Sequence, residues 1–406
     1  MAKPNLRKLN PMDFTKMNPT RQAKIEAAPA AALPDADSYK PNQLANALHP
    51  EVQYVKVAQI DEISADVKTF WLEADPARGT QSLAWFSAGQ YLSVTLEIGN
   101  MKMTRPYSLS SSPREALAGR YALTVKRVEG GLASNFILDS WTVGTEVTVS
   151  APLGVFTYEP LRDAKVIIGV AGGSGITPFR SLAKSIADGD EDAQLILLYG
   201  SRTMEEAIFQ EEFKAMEGPK FKLVNVLSDE TAECCCGGEG CCCEKGFITA
   251  DLIKKYAPAG DYSIFLCGPQ AMYDFVDKEI ASLGLRKKFI RHELFGEYFN
   301  PAKEADYPAD VAPQFEITVR IAGHEQTITA SSDVSILRSL EAAGIAAPAH
   351  CRSGECGWCH SRLVSGDVYT PKSVDGRREA DYIYGYIHPC CSFPLSDLVI
   401  EVSPAK

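Results

Sequence analysis

Apolar and polar positions alternate with period two in QYVKVAQI, VKTFWLEA, QYLSVTLEI, YALTVKRV and TEVTVSAPLG, between about residues 50 and 155. Such alternation turns one face of each segment to a core and the other to water. Short strands at near-regular spacing, separated by Gly/Pro turns, predict a small antiparallel β-barrel. One helix is expected to interrupt it at 132–137, after Gly130-Gly131. From about 163 to 300 the pattern changes. KVIIGV, QLILLY, KLVNV and YSIFL are continuous apolar runs, as in strands buried on both faces. Between them FRSLAKSIA, EEAIFQEEF, ADLIKKY and AMYDFVDKEIASLG read as helices. Strands alternating with helices predict an α/β doubly wound parallel sheet. From about 313, QFEITVRIAG and QTITA read as a hairpin, VSILRSLEAAGI as an amphipathic helix ended by Gly344, and SDLVIEV as a closing strand, a small α+β unit. Residues 1–48 lack sustained periodicity and contain the Pro/Ala-rich AAPAAALPDADSYKP. The expected division is an extended arm at 1–48, a barrel at 49–160, a parallel-sheet domain at 161–300, a linker at 301–312 and the α+β domain at 313–406.

Composition narrows the function classes. The chain has 406 residues, 45% hydrophobic and 23% charged, which suits two or three ordinary globular domains. A formal net charge of −11 argues against nucleic acid as the partner and suits a partner with a basic patch. No run approaches the ~20 apolar residues of a membrane span, and MAKPNLRKLNPMDFTKMNPTR has no apolar core of a secretory signal. A cytoplasmic, reducing location is expected, where the twelve cysteines read as ligands or free thiols before disulfides.

Their spacing carries the most specific chemistry. Cys351-Arg-Ser-Gly-Glu-Cys356-Gly-Trp-Cys359, with Cys390 about thirty residues later, has the C-x4-C-x2-C…C spacing of a [2Fe–2S] site, a one-electron carrier. A tight loop with Gly354 and Gly357 can wrap a two-iron rhomb and aim N–H groups at its sulfurs, and Arg352 places positive charge beside an anionic cluster. A zinc site prefers two C-x2-C-like pairs, which the adjacent Cys390-Cys391 does not supply. Cys390 is the preferred fourth ligand; spacing alone leaves Cys391 open.

Two segments in the first domain describe a flavin pocket. In Arg105-Pro-Tyr107-Ser108-Leu-Ser-Ser111, at the end of a barrel strand, Arg can bind phosphate, Tyr can cover an aromatic ring, and a Ser hydroxyl can bond a ring nitrogen. Lys126-Arg-Val-Glu-Gly130-Gly131-Leu-Ala-Ser134 is a glycine turn entering a helix, an anion-binding arrangement. In the second domain, Gly172-Gly173-Ser-Gly175-Ile-Thr177-Pro178 directly follows a strand. Its glycines admit a pyrophosphate, with Thr177 expected to cap the next helix and Pro178 in its first turn. It is not the G-x-G-x-x-G fingerprint. Cys267-Gly268-Pro269 ends the last buried strand, where ligands of open parallel sheets bind.

RPYSLSS, GGLAS, GVAGGSGITP and CGP, in this order, resemble the ferredoxin–NADP(+) reductase superfamily, and CRSGECGWC…C resembles the β-grasp module of plant-type ferredoxins. The order flavin, pyridine nucleotide, [2Fe–2S] resembles the group of phthalate dioxygenase reductase, phenylacetyl-CoA epoxidase reductase and hybrid-cluster-protein reductase. The resemblance, over roughly residues 50–400, implies that Arg105, Tyr107 and Ser108 hold the flavin and Gly131 and Ser134 its phosphates. It implies that Gly173, Thr177, Cys267 and Gly268 contact the nicotinamide nucleotide, and that Glu293 and Phe295 of HELFG lie near the flavin ring. Ser108, Cys267 and Glu293 are the expected catalytic residues. FAD is expected over FMN, because GGLAS is closer to FAD-binding members. Ser201 and Arg202 are candidates for a 2′-phosphate contact, leaving NADH or NADPH open. The implied activity passes electrons from NAD(P)H through flavin to the cluster, and on to an acceptor protein such as an oxygenase, hybrid-cluster or other reductase component. Alternatives are a stand-alone reductase of a quinone or ferric chelate, or a redox- or metal-sensing protein. The last rests on the family's one departure, six cysteines between Cys234 and Cys243.

Overall fold

The computed structural model describes residues 19, 21–24, 26–27, 35–229, 231, 243–294 and 296–404. The chain divides into two compact units, Met1–Ala47 and Leu48–Lys406. The arm is not extended throughout: a helix runs over Lys40–Leu48 with none of its residues buried. Pro41 suits a first helical turn, and the Gln/Leu/Ala content that follows favours continuing it.

The first sheet of the second unit comprises β1 (Val52–Ser64), β2 (Val67–Ala74), β3 (Tyr91–Ile98), β4 (Met101–Ser108), β5 (Arg120–Lys126) and β6 (Glu146–Ser150). They pair antiparallel in the order β4-β3-β6-β1-β2-β5. A bridge between Leu109 and Leu123 joins the two edges and closes the barrel. Register shifts in β1 at Val57/Gln59 and Glu62/Ser64 supply the bend that closure needs. The alternating apolar residues, Val55, Phe70, Leu72, Leu92, Val94 and Leu123 among them, fill the interior. β4 has no such alternation in its sequence, MKMTRPYS, and is held in place by its pairing with β3.

The second sheet is parallel: β7 (Val166–Gly172), β8 (Gln194–Ser201), β9 (Phe221–Leu227), β10 (Cys243–Lys245), β11 (Tyr262–Cys267) and β12 (Ile290–His292), in the order β10-β9-β8-β7-β11-β12. The chain winds outward from β7 through β10, then returns to the other side of β7 with β11. The switch point therefore lies beyond the ends of β7 and β11, the place where such sheets bind ligands. The edge strands β10 and β12 have three residues each, too short for a periodic signal. The helix expected over 205–213 occupies Gln210–Met216, because Phe209 stands in the left-handed region (φ 64°) at its start.

The third sheet contains β13 (Gln314–Ile321), β14 (His324–Ser331), β15 (Ser361–Ser365), β17 (Tyr386–Ile387) and β19 (Leu398–Val402), ordered β14-β13-β19-β15-β17. β16 (Val368–Tyr369) and β18 (Phe393–Pro394) form a separate ribbon. The helix Ile336–Ala342, capped by the Ser335 hydroxyl, packs Ile336 and Leu340 against Ile317, Val319 and Ile400. Among the described residues no helix is long and apolar enough to cross a membrane.

One buried ion pair of the parallel-sheet domain also reaches the barrel, through the Val155 carbonyl. Arg291 of β12 donates to Asp163 through Nε (3.0 Å) and Nη2 (2.6 Å), and through Nη1 to the Val155 carbonyl. Both side chains are buried, at 4% and 0% exposure. Removing one partner of a buried pair leaves a charge uncompensated, at a cost of roughly 3–5 kcal/mol. Asp163→Leu is therefore expected to lower the urea midpoint sharply, whereas an exposed change such as Asp261→Ala leaves it nearly unmoved.

Candidate functional site

The RPYS segment occupies the last turns of β4. Arg105 pairs with Val94, Tyr107 with Leu92 and Ser108 with Tyr91 across the ladder. Ser108 is buried, and its Oγ has no hydrogen-bond partner among the described residues. Burial pushes the Tyr107 phenol up to about 12, with Arg105 opposing the rise. The Tyr91 ring closes over Gly154, where a Cβ would stand 2.9 Å from it, and Glu293 Oε1 lies 3.8 Å from the same point. Tyr91 and Gly154 thus belong to the pocket, and no motif marked them. Ser111 is turned elsewhere: its Oγ accepts the Ala122 N–H at 3.0 Å and helps close the barrel. Gly131 precedes the helix Leu132–Ser140, and Ser134 Oγ accepts the Val128 N–H at 3.3 Å, folding the glycine turn back on the helix.

The nucleotide motifs meet because β7 pairs with β11, setting Ala171 beside Cys267. Gly175 approaches so closely that a Cβ would collide with the Cys267 carbonyl. Thr177 does not cap its helix: it is the first helical residue of Thr177–Ala187 and donates to the Ser174 carbonyl at 3.1 Å, with Pro178 in the first turn. A cavity of about 490 Å³ opens here, floored by Gly172, Gly173 and Pro269 and rimmed by Lys126, Ser201 and Arg202. Phe247 and Phe275 form its outer wall, ring centroids 5.7 Å apart. Gly268 lies beside this floor, its N–H bonded to Tyr273 Oη at 3.1 Å. Gly130 takes a left-handed conformation in the flavin-side turn (φ 68°).

Cys267 and Glu293 are buried, and burial favours the protonated form of each. Desolvation pushes the Cys267 thiol well up, and ionisation of the nearby Glu293 would push it further. Desolvation, then the charges of Glu355 and Cys351, pushes the Glu293 carboxyl well above the ordinary range. Tyr273 bridges them, donating to the Glu293 carbonyl. Phe295, and Cys234–Cys242 of the cysteine-rich run, lie outside the described residues; Cys243 begins β10.

In the cluster loop, Cys359 Sγ and Cys390 Sγ stand 3.4 Å apart. The Cys356 N–H points at Cys351 Sγ and the Trp358 N–H at Cys356 Sγ, each at 3.4 Å. Cys391 Sγ instead donates to the His388 carbonyl at 3.5 Å. Gly354 (φ 86°) passes so close to the Val374 carbonyl that any side chain would clash. Cys351, Cys359 and Cys390 are buried, and Cys356 is exposed. Arg352 does not stand free beside the thiols: its guanidinium is bound to Glu297 and Glu341.

The descriptions "Oxidoreductase FAD-binding domain", "Oxidoreductase NAD-binding domain" and "2Fe-2S iron-sulfur cluster binding domain" match residues 54–158, 170–278 and 319–395. The ferredoxin reductase component of 3-ketosteroid-9-alpha-monooxygenase from Mycobacterium tuberculosis is 32% identical over 322 residues, covering 77% of this chain and 84% of that protein. The chain belongs to the ferredoxin–NADP(+) reductase superfamily, with a C-terminal [2Fe–2S] domain. The reductase is also 29% identical to the glycine betaine monooxygenase reductase subunit of Chromohalobacter salexigens, over 86% of its own length and 94% of the relative's. Solved phthalate dioxygenase reductase matches 87% of the reductase with a TM-score of 0.59 and 25% identity, over 98% of that structure. The reductase is an NAD(P)H-dependent oxidoreductase that passes electrons from NAD(P)H through FAD to a [2Fe–2S] cluster. The unpartnered buried Ser108 hydroxyl, the glycine-floored cavity, the Cys359–Cys390 thiol pair and the N–H groups aimed at Cys351 and Cys356 fit these groups, although among the described residues no three ligand side chains are gathered at one point.

Glu293 makes stability depend on pH. Above the ordinary carboxylate range the unfolded chain has lost the proton that the native chain keeps, so stability falls as pH rises towards the native value. Glu293→Gln removes this slope. Urea midpoints of wild type and variant are expected to diverge in the variant's favour from pH 5 to pH 8; parallel profiles mean that Glu293 is ionised in the native protein.

Proposed function

We propose that the reductase delivers single electrons to an acceptor protein, an oxygenase, hybrid-cluster or other reductase component, docking at the exposed edge of the cluster loop. The observation that carries this reading is the asymmetry of that loop. Its inner side meets the barrel, where Thr104 Oγ1 donates to the Ala349 carbonyl at 2.6 Å, while Cys356 and Trp358 face outward. Relatives described as reductase subunits or components of monooxygenases support it.

Arg105, Tyr107 and Ser108 hold the flavin, with Gly130, Gly131 and Ser134 at its phosphates. Gly172, Gly173 and Pro269 form the nucleotide floor, with Gly175, Thr177 and Gly268 next to it as further contacts and Lys126 at its rim. Cys351, Cys356, Cys359 and Cys390 hold the iron. When bound, nicotinamide and flavin supply hydride chemistry and the cluster supplies one-electron chemistry. The chain supplies orientation and a partly buried lining. Ser108 offers its hydroxyl to the flavin ring, the Cys267 thiol and Glu293 carboxyl keep their protons, and the Tyr91 ring excludes water. Of the two rim cations, Lys126 and Arg202, Arg202 is paired with Glu206 at 2.6 Å, which leans this reading towards NADH. The modules run 49–160, 161–300 and 313–406, joined by a linker at 301–312, in a cytoplasmic protein whose ligand thiols stay reduced.

An anaerobic absorbance spectrum with flavin, iron, zinc and copper analysis, followed by NADH titration, tests the scheme. Flavin and iron–sulfur bands, both bleached by NADH with about two irons per chain, are expected; flavin without iron overturns the cluster assignment. Ser108→Ala is expected to slow flavin reduction about tenfold, the scale of one lost hydrogen bond, with the cluster spectrum intact. An unchanged stopped-flow rate removes Ser108 from that role.

A further inference from the structure

Side chains from three distant stretches of the chain converge behind the cluster loop. Arg352, next to Cys351, has a left-handed backbone (φ 61°) and a fully buried side chain. Its guanidinium forms a paired contact with Glu341, Nη1 to Oε1 at 2.6 Å and Nη2 to Oε2 at 2.8 Å. It also donates to Glu297 through Nε at 2.7 Å and through Nη2, and to the Thr104 carbonyl through Nη1 at 3.2 Å. Glu341 lies on the helix Ile336–Ala342, Glu297 follows the parallel sheet, and Thr104 belongs to β4. Arg105 stands 3.7 Å from both carboxylates, and Arg338 Nε 3.4 Å from Glu297.

A paired arginine–carboxylate contact fixes orientation as well as distance. A buried charge network is weak evidence for stability, because desolvation offsets attraction, but it admits few alternative geometries. The left-handed conformation of a non-glycine residue persists only where its surroundings impose it. Arg352 meets both conditions one residue from a proposed iron ligand, and its partners reach the strand that carries Arg105, Tyr107 and Ser108.

We infer that Arg352, gripped by Glu341 and Glu297, is a positioning residue that locks the cluster loop onto β4 and so sets the spacing between the flavin and cluster sites. The inference rests on the electron path from flavin to cluster. Arg352 touches no reacting atom; it acts through the loop and through Thr104.

Glu341→Gln tests it in the holoprotein, since it keeps the shape, removes the charge and lies outside the loop. Glu297→Gln is the second variant, should the first fail to assemble. Hydrogen–deuterium exchange is expected to rise about tenfold at 102–105 and 349–353, with equal cluster content and an unchanged cluster EPR spectrum. In stopped-flow mixing with NADH, cluster reduction is expected to slow about tenfold while flavin reduction keeps its rate. Unchanged exchange and unchanged cluster reduction in both variants overturn the inference. So does equal slowing of both reductions, which would place the effect at the flavin site through Arg105. A wild-type protein whose cluster NADH never reduces sinks the electron path itself, a distinguishable failure.

Discussion

Strand β4 is under the constraint on which the rest of the structure depends: within five residues it must serve two redox sites. Thr104 fastens the cluster loop through its hydroxyl and carbonyl, and Ser108 leaves a buried hydroxyl unpaired in the flavin pocket. Positions 104 and 108 share one face of the strand but stand roughly 13 Å apart along it, so one short segment can meet two partners along its length. The apolar alternation of β1, β2, β3 and β5 builds the barrel interior that holds β4 in register, while β4 itself contributes little to that core.

Charge is distributed accordingly. Around the reacting region burial raises both Cys267 and Glu293 and so favours their neutral forms. Where modules join, buried charges are paired: Arg291 with Asp163, its guanidinium reaching on to the barrel's Val155 carbonyl, and Arg352 with Glu297 and Glu341, its guanidinium reaching on to the barrel's Thr104 carbonyl. Each replaces sliding apolar contact with a geometry that tolerates little displacement. The helix-bearing nucleotide domain solves a different problem, since its switch point follows from winding order alone.

The three fold classes were legible because their evidence is local and repeated. Period-two alternation, buried apolar runs and glycine turns act on residues close in sequence, and VKTFWLEA and ADLIKKY become elements over their full lengths. What escaped was short or polar. β10, β12 and β17 carry too few residues for a pattern, and the helix Glu379–Tyr384 sits in a stretch without buried residues. The helix near Gln210 shifted because one residue, Phe209, adopts a backbone conformation that propensity does not anticipate.

By itself the sequence determined the kinds of chemistry: glycine turns for phosphates, a hydroxyl and an aromatic ring for flavin, and thiols at cluster spacing. These depend on residue type and on separations of a few positions along the chain. Only the tertiary structure decided which groups meet. It put Cys390 rather than Cys391 beside Cys359, turned Ser111 into a barrel clasp, laid Tyr91 against Gly154, and gave Arg352 two carboxylates from remote segments. Such meetings depend on how sheets close and modules dock, and a side chain's partner across many residues leaves no periodicity to read.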